Sequence, residues 1–486
     1  MTETIQTALS FHQQGRLPEA EKAYRSVLAQ SPEQFEALHF LGILKMQQGK
    51  PRDAMPLLSR AAASRPQDAA VLCNLGVAFL ALDRHEEALA ACDRSLALQP
   101  QDPETLYNRS IALTHLKRPQ EALDGFDKLL TIKPTHVNAL FNRGNLLVGQ
   151  GRYPEALQSF ERALTIEPDF VVAQHNRGNV LLGLGRFEEA LAAFDRVLVT
   201  APSHPEALNS RAIALKHLRR FDEALASVER ALALDANLIS ALVTRANLLL
   251  EIGRPAEALT SLDQAAALRT DDPEILYNRG IVLNLLGRFT EALASYEQAL
   301  RRNPNHADML TNRAVTLLQL GRAQDALEGY DQALAANPTH VEARFNRGNV
   351  LLHLDRPEEA LRNFDHALAG RPDHPGALAG RSLALNVLGR HAEALECCDR
   401  ALAILPDHVE SHVNRGAALN GLDRCDEALA DLARALALQP DHADALNIRR
   451  FALGKLGRQE EADAIAERLQ ALQRGEPSRN ADPSKS

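Results

Sequence analysis

Apolar residues recur at helical spacing in short stretches along this chain, and the stretches return every 34 residues. Counted from Met1, fourteen consecutive units fill residues 1–476, starting at 1, 35, 69, 103, 137, 171, 205, 239, 273, 307, 341, 375, 409 and 443. No linker interrupts them. Each unit has two apolar-periodic halves, predicting two helices. The twentieth position is alanine in all fourteen units, and the eighth is Gly, Ala or Ser in thirteen, with Arg450 the exception. One small residue on each half lets the two helices approach closely. The eleventh and twenty-fourth positions are mostly larger and apolar, as at Leu147, Phe160, Tyr296 and Phe364.

Polar punctuation separates the helices. The halves meet at Gly-Arg or a variant such as Gly185-Arg186, where glycine suits a left-handed helix cap. A cation at the sixteenth position and an acid at the nineteenth, present in every unit, complement the helix dipoles. Proline at the thirty-second position, as at Pro134 and Pro168, stops the second helix. The Asp, Ser, Thr or Asn that follows it is expected to cap the next helix. Residues 477–486 (PSRNADPSKS) are polar and expected to form a disordered tail.

The stretch NRGNVLLGLGRFEEALAAFDRVLVTAP, Asn176 to Pro202, resembles the tetratricopeptide repeat in its Gly, Ala, aromatic, Ala and Pro positions. The resemblance extends over all fourteen units. It implies an all-α fold, a right-handed superhelical α-solenoid of antiparallel helix pairs, with the first helix of each pair lining the concave face.

Composition agrees with closely spaced helices: aromatics are 4%, Trp is absent, and 45% of residues are hydrophobic. A net charge of -9 argues against a general nucleic-acid binder. No apolar run is long enough for a transmembrane helix, and the opening MTETIQTALSF has no signal-peptide pattern. The five cysteines lack C-x-x-C spacing and fit a reducing compartment, so a cytoplasmic location is expected. No metal or cofactor is expected. Histidines at the thirty-fourth position, among them His136, His204 and His340, are read as turn residues, and Cys397-Cys398 as core filler.

The seventh position is arginine in eleven successive units, Arg109 through Arg449. An arginine buried there needs a partner. The twenty-fifth position is acidic in ten successive units beginning one unit earlier, so the matching partner is the preceding repeat. The expected inter-repeat pairs include Asp93 with Arg109, Asp127 with Arg143, Glu161 with Arg177, Asp195 with Arg211, Asp331 with Arg347, and Asp365 with Arg381. These arginines are read as struts rather than ligand contacts.

The sixth position is asparagine at Asn74, Asn108, Asn142, Asn176, Asn278, Asn312, Asn346 and Asn414. Asparagine is a mediocre helix former, but its amide matches both polar groups of an extended peptide backbone. Asn145, Asn179 and Asn349 at the ninth position extend the amides along one helix face. Aromatics lie beside it at Tyr107, Phe141, Tyr277 and Phe345. The alternative, that the asparagines bond locally or merely suit a solvated groove, stays open. An asparagine ladder also resembles the repeat arm of O-GlcNAc transferases, where it grips substrate backbone. The opening HQQGRLPEAEKAYRSVLAQSPEQFEALHFLGILKMQQGK resembles the start of bacterial proteins of that type.

No catalytic constellation is visible in the sequence. The expectation is a non-catalytic scaffold or adaptor that binds an extended protein segment in its concave groove. Its alternative is the substrate-recognition arm of an O-GlcNAc transferase-like system whose catalytic domain lies elsewhere. Self-association through the array ends is a third reading, against which Arg450 in the last unit counts. Repeats seven and eight lose both the ladder asparagine (Ser210, Thr244) and the terminal proline (Ala236, Thr270), as a hinge or as drift.

Overall fold

A computed structural model of the chain describes residues 4–474, and among these residues 28 α-helices make up the regular structure, with no strand. The expected tail at 477–486 lies outside the described residues. The fifth repeat typifies the rest: Val137–Gly149 is followed by Tyr153–Ile166 after a three-residue turn, so the two helices fold back on one another.

The turn reverses the chain through one left-handed residue, Gly151 at φ 71° and Gly185 at φ 72°. Where glycine is missing, the same conformation is imposed on Asp83, Lys117, Arg219, Asp355 and Asp423, at φ 56–59°. Arginine at the sixteenth position is the N-cap residue of the second helix and pairs with the nineteenth-position acid one turn on. Arg186 Nε and Nη2 each donate to Glu189 at 2.7 Å. That bidentate contact holds the Glu189 carboxyl below its usual range.

The cap of the first helix is one residue later than expected. It is the thirty-fourth position, not the thirty-third. His136 Nδ1 accepts from the Ala139 N–H at 3.1 Å and His340 Nδ1 from Ala343 at 3.1 Å, as Asp102 does from Thr105 at 2.8 Å. The helix begins at the first position of the next unit, so only the residue directly before it reaches the free amides. The histidines read as turn residues are therefore helix caps.

Within a repeat the alanine of the second helix is fully buried, as at Ala156 and Ala190. The eighth-position glycine admits the twenty-fourth-position ring: a Cβ on Gly144 would stand 2.6 Å from Phe160 Cε1. Phe160, Phe194, Tyr296 and Phe364 are fully buried, each worth about 2–3 kcal/mol of hydrophobic stabilisation. Clusters bridge consecutive repeats. One combines Leu106, Phe126 and Leu129 of the fourth with Ala139, Leu140 and Ala163 of the fifth.

The chain divides into two compact units, Met1–Thr244 and Arg245–Ser486, each a stack of helix pairs. The division falls inside the helix Ile239–Glu251. No described helix is long and apolar enough to cross a membrane.

Candidate functional site

The sixth-position asparagines are part-exposed on the first helices, except Asn414, which is buried. Their amides are partly committed within the protein. Asn142 Nδ2 donates to the Tyr107 hydroxyl at 3.1 Å and Asn312 Nδ2 to the Tyr277 hydroxyl at 2.9 Å. Asn108 Nδ2 lies 3.7 Å from Cys73 Sγ, and Asn414 Nδ2 donates to the Ala379 carbonyl at 3.0 Å. Each partner is the fifth-position residue of the preceding repeat. Where that residue is Phe141, whose side chain has no acceptor, Asn176 Nδ2 turns to Asn145 Oδ1 at 2.8 Å. Ser210 Oγ makes the equivalent bond to Asn179 Oδ1 at 3.2 Å.

The asparagines thus tie successive first helices together while leaving capacity outward. Among the described residues no hydrogen bond falls on Asn142 Oδ1 or Asn176 Oδ1, nor on the side chains of Asn278, Asn346 and Asn349. The sequence did carry a signal for the ties. A tyrosine, histidine or cysteine stands 35 residues before several of the asparagines, as Tyr107 does before Asn142.

The fifth-position aromatics are structural supports of this face. Each sits between the buried twenty-fourth-position ring and the thirty-fourth-position side chain of its own repeat. Tyr107 is 6.1 Å from Phe126 and stacks on His136 at 5.1 Å. Phe345 is 6.3 Å from Phe364 and 4.9 Å from His374. In the sixth repeat His175 takes that place, 5.7 Å from Phe194 and 5.3 Å from His204. Burial, and then the neighbouring His204, push the His175 pKa below its ordinary value.

Most seventh-position arginines meet acids of the preceding repeat, but among the described residues no ion pair joins Arg245 to Glu229, and Arg245 Nε is buried without a hydrogen-bond partner. Arg109, Arg143, Arg211 and Arg381 donate through Nε to Asp93, Asp127, Asp195 and Asp365 at 2.6–2.7 Å. Arg177 lies 3.2 Å from Glu161. Arg347 Nε lies 2.8 Å from Asp331 but is not aligned for a hydrogen bond.

These pairs are not buried, which corrects the premise drawn from the sequence. The arginine side chains are 17–26% exposed and the carboxylates 46–58%. The acid stands on the outward side of its helix, where water screens it, so each pair contributes about 0–1 kcal/mol. The guanidinium also reaches forward, unforeseen in the sequence. Arg143 Nη1 donates to Ser159 and Arg279 Nη1 to Ser295, both at 2.6 Å. Each such arginine therefore bridges three helices.

Other polar chemistry is internal. His412, Asp431, Arg415 and Asp399 form one network in repeats twelve and thirteen, with Asp431 buried. Burial pushes the thiols of Cys92 and Cys398 up to about 12, and raises those of Cys73 and Cys397. None of these four is a thiolate at neutral pH. Among the described residues no group of three or more His, Cys, Asp or Glu could hold a metal ion.

One tetratricopeptide repeat profile matches residues 40–103, 175–238, 243–307, 286–339, 311–364 and 345–409, more than half of the chain. Two further profiles of the same repeat match residues 387–452 and 137–170. The chain belongs to the tetratricopeptide repeat family. Proteins built from this repeat are generally non-catalytic scaffolds for protein–protein interaction. Among solved structures, the Cut9–Hcn1 hetero-tetramer of the APC/C is 14% identical, over 92% of this chain and 95% of that one, at a TM-score of 0.45. A tetratricopeptide repeat protein from Parabacteroides merdae ATCC 43184 is 21% identical over 51% of this chain and 98% of that one, at a TM-score of 0.40. YrrB, described as having an unusual peptide-binding site, is 25% identical over 40% of this chain and 97% of that one, at a TM-score of 0.34. No curated protein matches the chain significantly.

Proposed function

We propose that this tetratricopeptide repeat protein is a non-catalytic cytoplasmic adaptor that binds an extended polypeptide along the concave face of its first helices. The observation that carries the reading is the state of the ladder amides. Bonds to the preceding repeat hold Asn142, Asn176 and Asn312 in fixed orientations, and the carbonyl oxygens of Asn142 and Asn176 carry no internal bond. Pre-oriented groups lose little entropy on binding. An amide oxygen accepts a backbone N–H of any sequence, so recognition rests on main chain rather than on particular side chains. Acids at the second position, among them Glu206, Glu274 and Glu342, favour a neutral or mildly basic segment.

The test separates binding from tying. The side chains of Asn278, Asn346 and Asn349 make no hydrogen bond among the described residues, so changing all three to Ala removes ladder groups without cutting inter-repeat ties. Affinity capture from native lysate should lose a wild-type partner with this variant, while circular dichroism stays unchanged. Capture of the same proteins by both forms would sink the reading. A second reading, the substrate-recognition arm of an O-GlcNAc transferase-like enzyme acting in trans, rests on the same ladder. It predicts that the captured set contains a glycosyltransferase.

A further inference from the structure

We propose that the sixth repeat carries a second docking site, separate from the asparagine face, which seats one apolar residue of a partner polypeptide by its side chain and one carbonyl oxygen. The fourth position of the first helix is leucine in ten repeats, Leu140 and Leu208 on either side of the sixth among them. Of the other four, Thr4 caps its helix, and Gln174, Arg344 and His412 are polar residues within theirs. Two of these three turn to the proline carbonyl that ends the preceding repeat. Arg344 Nη2 lies 3.4 Å from the Pro338 oxygen, and His412 Nε2 is 2.9 Å from that of Pro406. Pro168 stands in the same place before Gln174, yet Gln174 Nε2 is buried with no hydrogen-bond partner among the described residues. Burying an unpaired amide donor is unfavourable, and leucine at this position would avoid it.

The same repeat departs from the others at a second position. The twenty-ninth is alanine in ten repeats, threonine in two and arginine at Arg301, while the sixth alone has valine. Val199 is 83% exposed. Both departures line one pocket of about 240 Å³, together with Pro168, Val171, Arg196 and Val197. That volume equals the liquid share of roughly eight waters and falls below the range of drug-sized sites, so it suits a single residue. Arg196 and Asp169 line it with opposite charges, which favours an uncharged occupant. The valines supply an apolar wall, and a half-turn of the Gln174 terminal torsion, which exchanges its amide nitrogen and oxygen, would turn a donor toward one carbonyl.

The probe is N-acetyl-leucinamide, an uncharged residue with two carbonyls, titrated into full-length protein carrying 15N-glutamine and 13C-valine labels. The Gln174 side-chain amide and the Val199 methyls should shift saturably, with half-saturation of roughly 1–10 mM for a ligand this small. N-acetyl-glycinamide should move them less than a fifth as far. Gln174→Leu should melt about 1–3 °C higher while its Val199 methyls lose the response. Val199→Asp, confirmed folded by circular dichroism, should lose the Gln174 response. Absent shifts, equal shifts with both probes, or undiminished binding by Gln174→Leu would each overturn the proposal. The ladder variant should bind the probe as wild type does, so this site and the groove fail or stand separately.

Discussion

His175 shows how one residue carries the logic of its position into a testable pH dependence. It occupies the ring place that Phe141 and Phe345 hold elsewhere, packed between Phe194 and His204. Its folded pKa is lowered, so the unfolded chain takes up the proton more readily. The stability owed to neutral His175 is therefore complete above the unfolded value of about 6.5 and is lost as pH falls below it. Between pH 8 and pH 5.5 the urea midpoint should fall less for His175→Phe than for wild type. Equal falls would show that His175 does not titrate against folding. The strut at Arg143 makes the opposite point about charge. Its partner Asp127 is 53% exposed, so a double-mutant cycle between them should give a coupling of at most about 1 kcal/mol, weakening with salt. A coupling near 3 kcal/mol would mean that the pair is desolvated.

Among the helices, the expected cap of each first helix lay one position too early. His136 accepts the Ala139 amide, so His136→Ala should destabilise by about 1 kcal/mol and His136→Asp by much less, measured by denaturant unfolding. If both variants unfold alike, the cap bond contributes nothing. The left-handed turn residues invite the reverse change. Lys117 at φ 56° meets the steric penalty that glycine avoids, and glycine gives back part of the gain as unfolded-state entropy. Lys117→Gly should stabilise by about 0.5 kcal/mol. A side chain's cap or tie could not be assigned to it from spacing alone. Asn142 and Asn176 hold the same place in their repeats, yet one bonds a tyrosine hydroxyl and the other an asparagine carbonyl. The difference lies in whether the preceding repeat offers Tyr107 or Phe141, a contact between residues 35 apart in sequence.

Over the whole molecule, stability comes from neighbours, since each helix pair has apolar faces that only the next pair covers. The last helix, Gln459–Gln473, shows this at one end. Ile465, Leu469 and Leu472 pack on a cluster that includes Leu432 and Leu446. Ending the chain at residue 458 should speed amide exchange across the helices Val409–Gly421 and Ala443–Lys455, and leave Phe35–Gln47 unchanged. Uniform acceleration along the chain would instead show that it unfolds as one cooperative block.

The 34-residue period was enough to establish the all-α repeat fold, because spacing of small and large apolar residues dictates which helix faces can meet. The matched runs of acid and arginine, displaced by one repeat, pointed to pairs such as Asp127 with Arg143, but the same rule fails at Arg245, which makes no ion pair with Glu229 among the described residues. What the period could not convey was how deeply those pairs lie or what the asparagines already hold. Burial and hydrogen bonding depend on the distance between helices and on rotamers, and these are settled only when neighbouring repeats pack. For the same reason the pocket beside Gln174 could not be read from the sequence as a pocket. Its glutamine and valine both depart from the repeat pattern, but they are 25 residues apart, and only the folded repeat brings them to one cavity.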